Sequence, residues 1–348
     1  MRRVMKVAAL AVAGALALAA CGSSSSGGGA GTSASPSATS NIKVGLAYDV
    51  GGRGDKSFND SAATGLDKAK TDFGVQTKEL SAVVGETDAQ KEERLRLLAS
   101  GGYNPVIAVG FAYATAAKKV AAEFPNINFA IIDDSSFSAP NVANLVFAEN
   151  EGSYLVGVIA AQASKAGNIG YIGGVLTPLL QKFEAGYTAG AKSINPNIKV
   201  QVKYLTQPPD FSGFNAPDKG QTAAQGMFDA GADVVFAAAG GSGGGVFKAA
   251  KASGKLAIGV DSDQYLTASA DVKDVILTSM IKRVDTAVYD FIKSAVDGSP
   301  LTGVQTFDLK KDGVGYSTSN SAVQPYTAKA DAAAEQIKSG AITVPTTP

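Results

Sequence analysis

Ile42-Lys43-Val44-Gly45-Leu46-Ala47-Tyr48 runs directly into Asp49-Val50-Gly51-Gly52 and, a few residues on, into the stretch from Asn59 to Asp72. The first segment is a short β-rich apolar run. The second is a polar, glycine-rich break. The third places Ala63, Leu66 and Ala69 at helical spacing, so that one face turns inward. Strand, loop and helix in that order form the unit from which parallel sheets are built.

The unit repeats outward from there. Val75 to Leu80 reads as a strand, Asp88 to Ser100 as a helix, Pro105 to Val109 as a strand and Tyr113 to Phe124 as a helix. Strands follow at Asn128 to Asp133 and Val142 to Phe147, and a long apolar helix at Tyr154 to Ser164. The rhythm then restarts. Strands are expected at Asn168 to Ile172, Lys199 to Leu205, Ala232 to Ala238, Leu256 to Val260 and Val275 to Met280. Helices are expected at Leu179 to Ser193, Lys219 to Ala230, Val246 to Ser253 and Arg283 to Val296. Strands alternating with helices predict an α/β fold with parallel sheets covered on both faces. Two runs joined near residue 150 predict two similar lobes. In open parallel sheets ligands bind outside the carboxyl ends of the strands. Those ends here are polar or glycine-rich: Asp49 to Gly52, Gly110-Phe111, Asp133-Asp134, Gly240 to Ser242 and Asp261 to Asp263.

The amino terminus carries a different message. Arg2, Arg3 and Lys6 precede an uncharged apolar run from Val7 to Ala20. That run is shorter than the ~20 residues a spanning helix takes and suits a signal peptide, residues 1–20. It ends in Leu18-Ala19-Ala20-Cys21-Gly22, which resembles a bacterial lipobox. Cys21 is the only cysteine, so no disulfide partner exists for it, and it is expected to carry the lipid. Two acyl chains, at ~0.8 kcal/mol per buried CH₂, hold a protein stably on a membrane. Gly22 to Ser40 is almost wholly Gly, Ser, Ala, Thr and Pro. It reads as a flexible linker, residues 21–40 with the lipidated Cys, spanning on the order of 25 Å.

Composition narrows the function. Lys plus Arg and Asp plus Glu are both 31, for a net charge of zero. No basic stripe offers itself to a phosphate backbone, so no nucleic-acid partner is expected. There is no histidine, which removes imidazole bases, Ser-His-Asp systems and histidine metal sites. With the single cysteine committed to the anchor, cysteine zinc sites go too. Neither a metal nor a cofactor is expected, and an enzyme would have to work with carboxylates, Lys or Tyr.

Several segments have both a plain and a functional reading. In Asp55-Lys56-Ser57-Phe58-Asn59-Asp60, Asn59 or Ser57 can cap a helix, while Phe58 packs under its loop or stacks a planar ligand. Phe211-Ser212-Gly213-Phe214-Asn215 is the counterpart in the second half. Two aromatic loops facing across a cleft would sandwich a ring, at roughly 1–3 kcal/mol per base. Gly240 to Gly245 is either a flexible strand-to-helix turn or a place of close backbone approach; its spacing fits neither a Walker A loop nor a Rossmann fingerprint. Val260-Asp261-Ser262-Asp263-Gln264 offers carboxylates to hydroxyl-rich ligands or a helix cap. Lys282 points a cation into the cleft or lies on the surface.

Taken in order, Gly54 to Asn59, Phe129 to Asp133, Phe183 to Tyr187, Ala239 to Gly243, Val260 to Gln264 and Ser279 to Arg283 resemble the basic membrane protein family, the PnrA/TmpC-like group of ABC-transporter lipoproteins. The resemblance covers residues 42 to about 340. It implies a type I periplasmic-binding-protein fold, two doubly wound lobes joined by three crossovers. The lobes would divide as 41–150 with 279–304, and 151–278 with 305–348. It implies a purine nucleoside as the commonest ligand and no enzymatic activity. Phe58 and Phe214 would stack the base and Asn59 and Asp133 would hold its edge. Asp261 and Lys282 would hold the ribose, Gly240 and Gly241 would give close approach, and Asp49 would lie at the cleft mouth. Phe211 rivals Phe214, because the second loop departs from the family pattern before its Phe. Partners would be an ABC permease and ATPase, with the protein a monomer lipid-anchored on the extracytoplasmic face of the cell membrane. The rival expectations are a sugar or other small polar metabolite in the same fold, a ligand-sensing lipoprotein, and a hydrolase using Asp133 and Asp261.

Overall fold

The computed structural model describes residues 41–348, so the expected signal peptide, Cys21 and the whole of the expected linker lie outside it. The first lobe begins with β1 (Lys43–Ala47), α1 (Phe58–Phe73), β2 (Gln76–Leu80), α2 (Asp88–Ser100), β3 (Val106–Ala108), α3 (Ala114–Glu123), β4 (Phe129–Ile132) and β5 (Val142–Phe147). The chain then crosses. α4 (Glu149–Ala163), β6 (Asn168–Val175), α5 (Pro178–Ile194), β7 (Lys199–Thr206), α6 (Pro217–Asp229), β8 (Val234–Ala238), α7 (Gly243–Ser253), β9 (Leu256–Asp261), the short α8 (Gln264–Thr267) and β10 (Ile276–Lys282) build the second. α9 (Val284–Val296) and β11 (Gly303–Phe307) return to the first lobe, and β12 (Val314–Tyr316) and α10 (Gln324–Ser339) finish in the second.

Each lobe is a six-stranded sheet, ordered β2-β1-β3-β4-β5-β11 in one and β7-β6-β8-β9-β10-β12 in the other. All pairings are parallel except β10 with β12. The central strands are apolar throughout: β3, β4 and β8 are buried at every position. That is the pattern of strands covered by helices on both faces. This is the type I periplasmic-binding-protein fold, with three crossovers between lobes.

The crossovers fall a few residues from where the sequence put them. β10 keeps its ladder with β9 through Ile281 and with β12 through Lys282, so the second lobe runs past 279. A lysine is a poor sign of a buried strand end, and a buried ion pair is what permits it here. β11 pairs with β5 as far as Phe307, so the first lobe runs past 304. α4 begins at Glu149, and Asn150 donates to the carbonyl of Val344, placing the start of that helix with the second lobe. α10 and the short strands β11 and β12 had no reading in the sequence. Among the described residues no helix is long and apolar enough to cross a membrane.

Candidate functional site

The carboxyl ends of the two sheets face one another across a cleft. Its central cavity, about 60 Å³, is lined by Asp49, Phe58, Asn59, Asp133, Phe214, Gly240, Asp261 and Lys282 from among the residues the sequence singled out. Gly241 lies instead in the wall of a neighbouring cavity. Phe111, Asp55, Leu179 and Phe183, which were not site candidates, are among the other residues of the central lining.

The loop after β1 is held by Asp55. Its carboxylate accepts from the backbone N–H groups of Ser57 (2.9 Å), Asn59 (2.9 Å) and Asp60 (3.1 Å) at the start of α1. Asp55, rather than Ser57 or Asn59, therefore caps this helix. Asn59 is committed to the same loop. Its amide donates to Asp55 (3.0 Å) and to the Val50 carbonyl (3.4 Å), and its oxygen accepts from the Asp49 N–H (3.0 Å). Both amide hydrogens are engaged, so Asn59 positions its neighbours. Ser57 is released to donate across the cleft to Asp261 at 2.6 Å. Ser262 donates back to the Ser57 carbonyl (2.9 Å), and Gln264 to that of Lys56 (3.0 Å). These bonds hold the lobes together in the present conformation.

Asp133 and Asp261 occupy equivalent places, at the ends of the fourth strands of their lobes, and both have positive φ, 67° and 64°. Such a conformation is uncommon for a side-chain-bearing residue and turns each carboxylate into the cleft. Burial pushes the Asp261 carboxyl up to about 7, against the opposing pull of Lys282 and the Ser57 hydroxyl. Burial likewise raises Asp49 to about 7, with the Val50 N–H and Lys91 acting against it.

Lys282 is the charge around which the site is organised. It ends β10 with 2% of its side chain exposed. Its ammonium lies 2.6 Å from Asp133 Oδ2 and 3.3 Å from Glu149 Oε1. The rings of Phe58, Phe147 and Phe183 surround it at 5.1, 5.0 and 5.6 Å. Burial would draw the proton off, but Asp133, Glu149 and Asp261 together outweigh it and hold the lysine charged. Glu149 escaped sequence reading because an acid in the first turn of a helix is ordinary.

Phe58 stands on the first lobe and Phe214 on the second. Phe214 lines the central cavity, whereas Phe211 lines a neighbouring one. Phe111 stands edge-on to both, with centroids 6.3 Å from Phe214 and 5.8 Å from Phe211. Gly174 on β6 makes room for the Phe214 ring: a Cβ there would lie 2.5 Å from the ring's Cδ1. Gly240 has φ +54° and its Cβ would lie 3.0 Å from the Phe214 carbonyl. Glycine at 240 thus lets the aromatic loop sit down on its own lobe. Among the described residues no cluster of His, Cys, Asp and Glu could hold a metal ion.

Known proteins resemble the whole of this body. The nucleoside-binding protein BmpA of a Lactococcus lactis ABC transporter is 36% identical over 328 residues, 88% of this chain and 90% of its own. A lipoprotein of Pyrococcus horikoshii is 38% identical over 291 residues, 79% of this chain and 69% of its own. The crystal structure of an ABC-transporter solute-binding protein from Aeropyrum pernix superposes with a TM-score of 0.77 at 29% identity, covering 88% of this chain and 93% of that one. The sequence profile described as ABC transporter substrate-binding protein PnrA-like (Bmp) matches residues 42–348, and the chain belongs to that family of substrate-binding proteins.

Proposed function

We propose that this protein captures a purine nucleoside between its lobes and delivers it to the permease of an ABC importer, working as a lipid-anchored monomer on the extracytoplasmic face of the membrane. The observation that carries the nucleoside reading is Phe58 and Phe214, one from each lobe, lining a single cavity with Asp133, Asp261 and Lys282. Aromatic faces suit a base, and carboxylates with an ammonium suit ribose hydroxyls and a polar base edge. The name of the Lactococcus relative points the same way. In this reading Asp133 meets the base edge, Asp261 and Lys282 meet the ribose, and Asn59 keeps Asp49 and Asp55 in place. A cavity of about 60 Å³ is far below the ~300–1,000 Å³ of ordinary ligand pockets. Entry therefore requires the lobes to part and Phe111 to leave Phe214. A ligand touching both lobes then favours the closed state by its differential affinity.

Titration calorimetry of the purified protein against nucleosides, nucleobases and sugars tests this. Purine nucleosides should bind, and Phe58→Ala with Phe214→Ala should weaken them at least tenfold, as loss of base stacking requires. Heat with sugars alone, or nucleoside affinity unchanged in the double variant, would refute the stacking reading. The anchor is tested by Cys21→Ala, which should move the protein from the membrane fraction to the soluble one while ligand affinity stays the same.

A further inference from the structure

Two buried carboxylate oxygens of this site have no hydrogen-bond partner: Asp133 Oδ1 and Glu149 Oε2. Their side chains are 5% and 1% exposed. Lys182 makes an ion pair with Glu149 Oε2 at 3.6 Å, beyond hydrogen-bond reach. A buried acceptor without a donor is destabilising, and more so when charged. Both residues also line a second, open cavity of about 520 Å³, on whose walls Thr177, Ser135, Ser136, Asp134 and Lys182 stand. That chamber adjoins the central cavity, the two sharing Phe111, Asp133 and Leu179.

We infer that Glu149 and the free oxygen of Asp133 form an acceptor subsite behind the ring pair, which takes a hydrogen-bond-donating amino substituent of the bound base. The inference rests on the nucleoside reading and deepens it to a ligand class, aminopurine nucleosides. An amino group supplies N–H donors to oxygens that otherwise have none. A ring nitrogen or carbonyl turned the same way meets like partial charge. Lys282 does not relieve that repulsion, because its ammonium is already engaged by Asp133 Oδ2 and Glu149 Oε1.

The test compares pairs of ligands that differ by one amino group: guanosine against inosine, and adenosine against purine riboside. In the wild-type protein at least one pair should favour the amino-bearing member roughly ten- to a hundredfold, the effect of a hydrogen bond to a charged group. Glu149→Gln should shrink that preference severalfold. If Glu149 only steadied Lys282, the variant would weaken all four ligands by one common factor, and that result would overturn the subsite. Equal wild-type affinity within both pairs overturns it too, and needs no variant to fold. Binding of none of the four by the wild type would instead sink the nucleoside reading on which the subsite stands.

Discussion

Replacing Lys282 by methionine isolates what the buried ammonium does. The side chain keeps its length and loses its charge. Asp133 Oδ2 and Glu149 Oε1 then lose a cation at 2.6 and 3.3 Å, and three aromatic rings lose the charge they surround. Removing one partner of a buried ion pair typically costs about 3–5 kcal/mol. At about 2–4 °C per kcal/mol for domains of this general size, the melting temperature at pH 8 should fall by about 10 °C. The sign with pH follows from the carboxylates left behind. Burial already raises the proton affinity of Glu149 against the pull of Lys282, and without the cation that carboxyl favours its protonated form further, so the variant should recover stability as pH falls toward 5. The wild-type lysine, whose proton affinity is raised in the fold, stays charged across that range and gives no such recovery. Thermal melts of both proteins between pH 5 and 8 provide the comparison. A variant that melts within 2 °C of wild type at pH 8 (about 0.5–1 kcal/mol or less) would refute the assigned role, as would a deficit that does not narrow at pH 5.

Further outcomes follow from the same geometry. Asp261, raised to about 7 in the fold against ~3.9 in an unfolded chain, contributes stability that is complete below about pH 4 and lost as pH rises through about 7. Asp261→Asn keeps an acceptor for Ser57 and cannot ionise. It should flatten part of the fall in melting temperature between pH 4.5 and 8, leaving the share due to Asp49, which titrates in the same window; an unchanged slope would show that Asp261 is not responsible. Gly174→Ala puts a methyl group 2.5 Å from the Phe214 ring. Ligand affinity should drop at least tenfold through the displaced ring, and calorimetry showing wild-type affinity would mean that the ring's position is immaterial.

The alternation of strand and helix was legible because a central parallel strand leaves little choice of residue. β3, β4 and β8 are apolar at every position, and their helices carry regular inward faces. The edges were less so. β11 alternates half-buried and exposed positions and pairs on one side only, so Gly303 to Phe307 looks like loop. Phe58 and Phe214 could be picked out as large aromatics in polar loops, and Asp133, Asp261 and Lys282 as charges that follow or end apolar strands; the fold brings all five to one cavity. Asn59 stood in a suggestive loop too, yet its amide is used locally; sequence shows the residue and not where its two hydrogens go. Phe111 entered only as part of a strand end, and Glu149 not at all, for the opposite reason. Each is unremarkable among its sequence neighbours, and each matters only through residues distant in sequence: Phe211 and Phe214 for one, Lys282 for the other.

Lys282 and Glu149 stand at two of the three places where the chain crosses between lobes, one ending β10 and the other opening α4. Points beside a pivot travel little when the arms swing, whereas Ser57, Ser262 and the Phe111 pair stand where the lobes separate. In the proposed capture, opening breaks the outer hydrogen bonds and parts the rings while the ammonium keeps Glu149. The protein meets its ligand with an anchoring point already assembled, and capture proceeds from the axle outward to the rim.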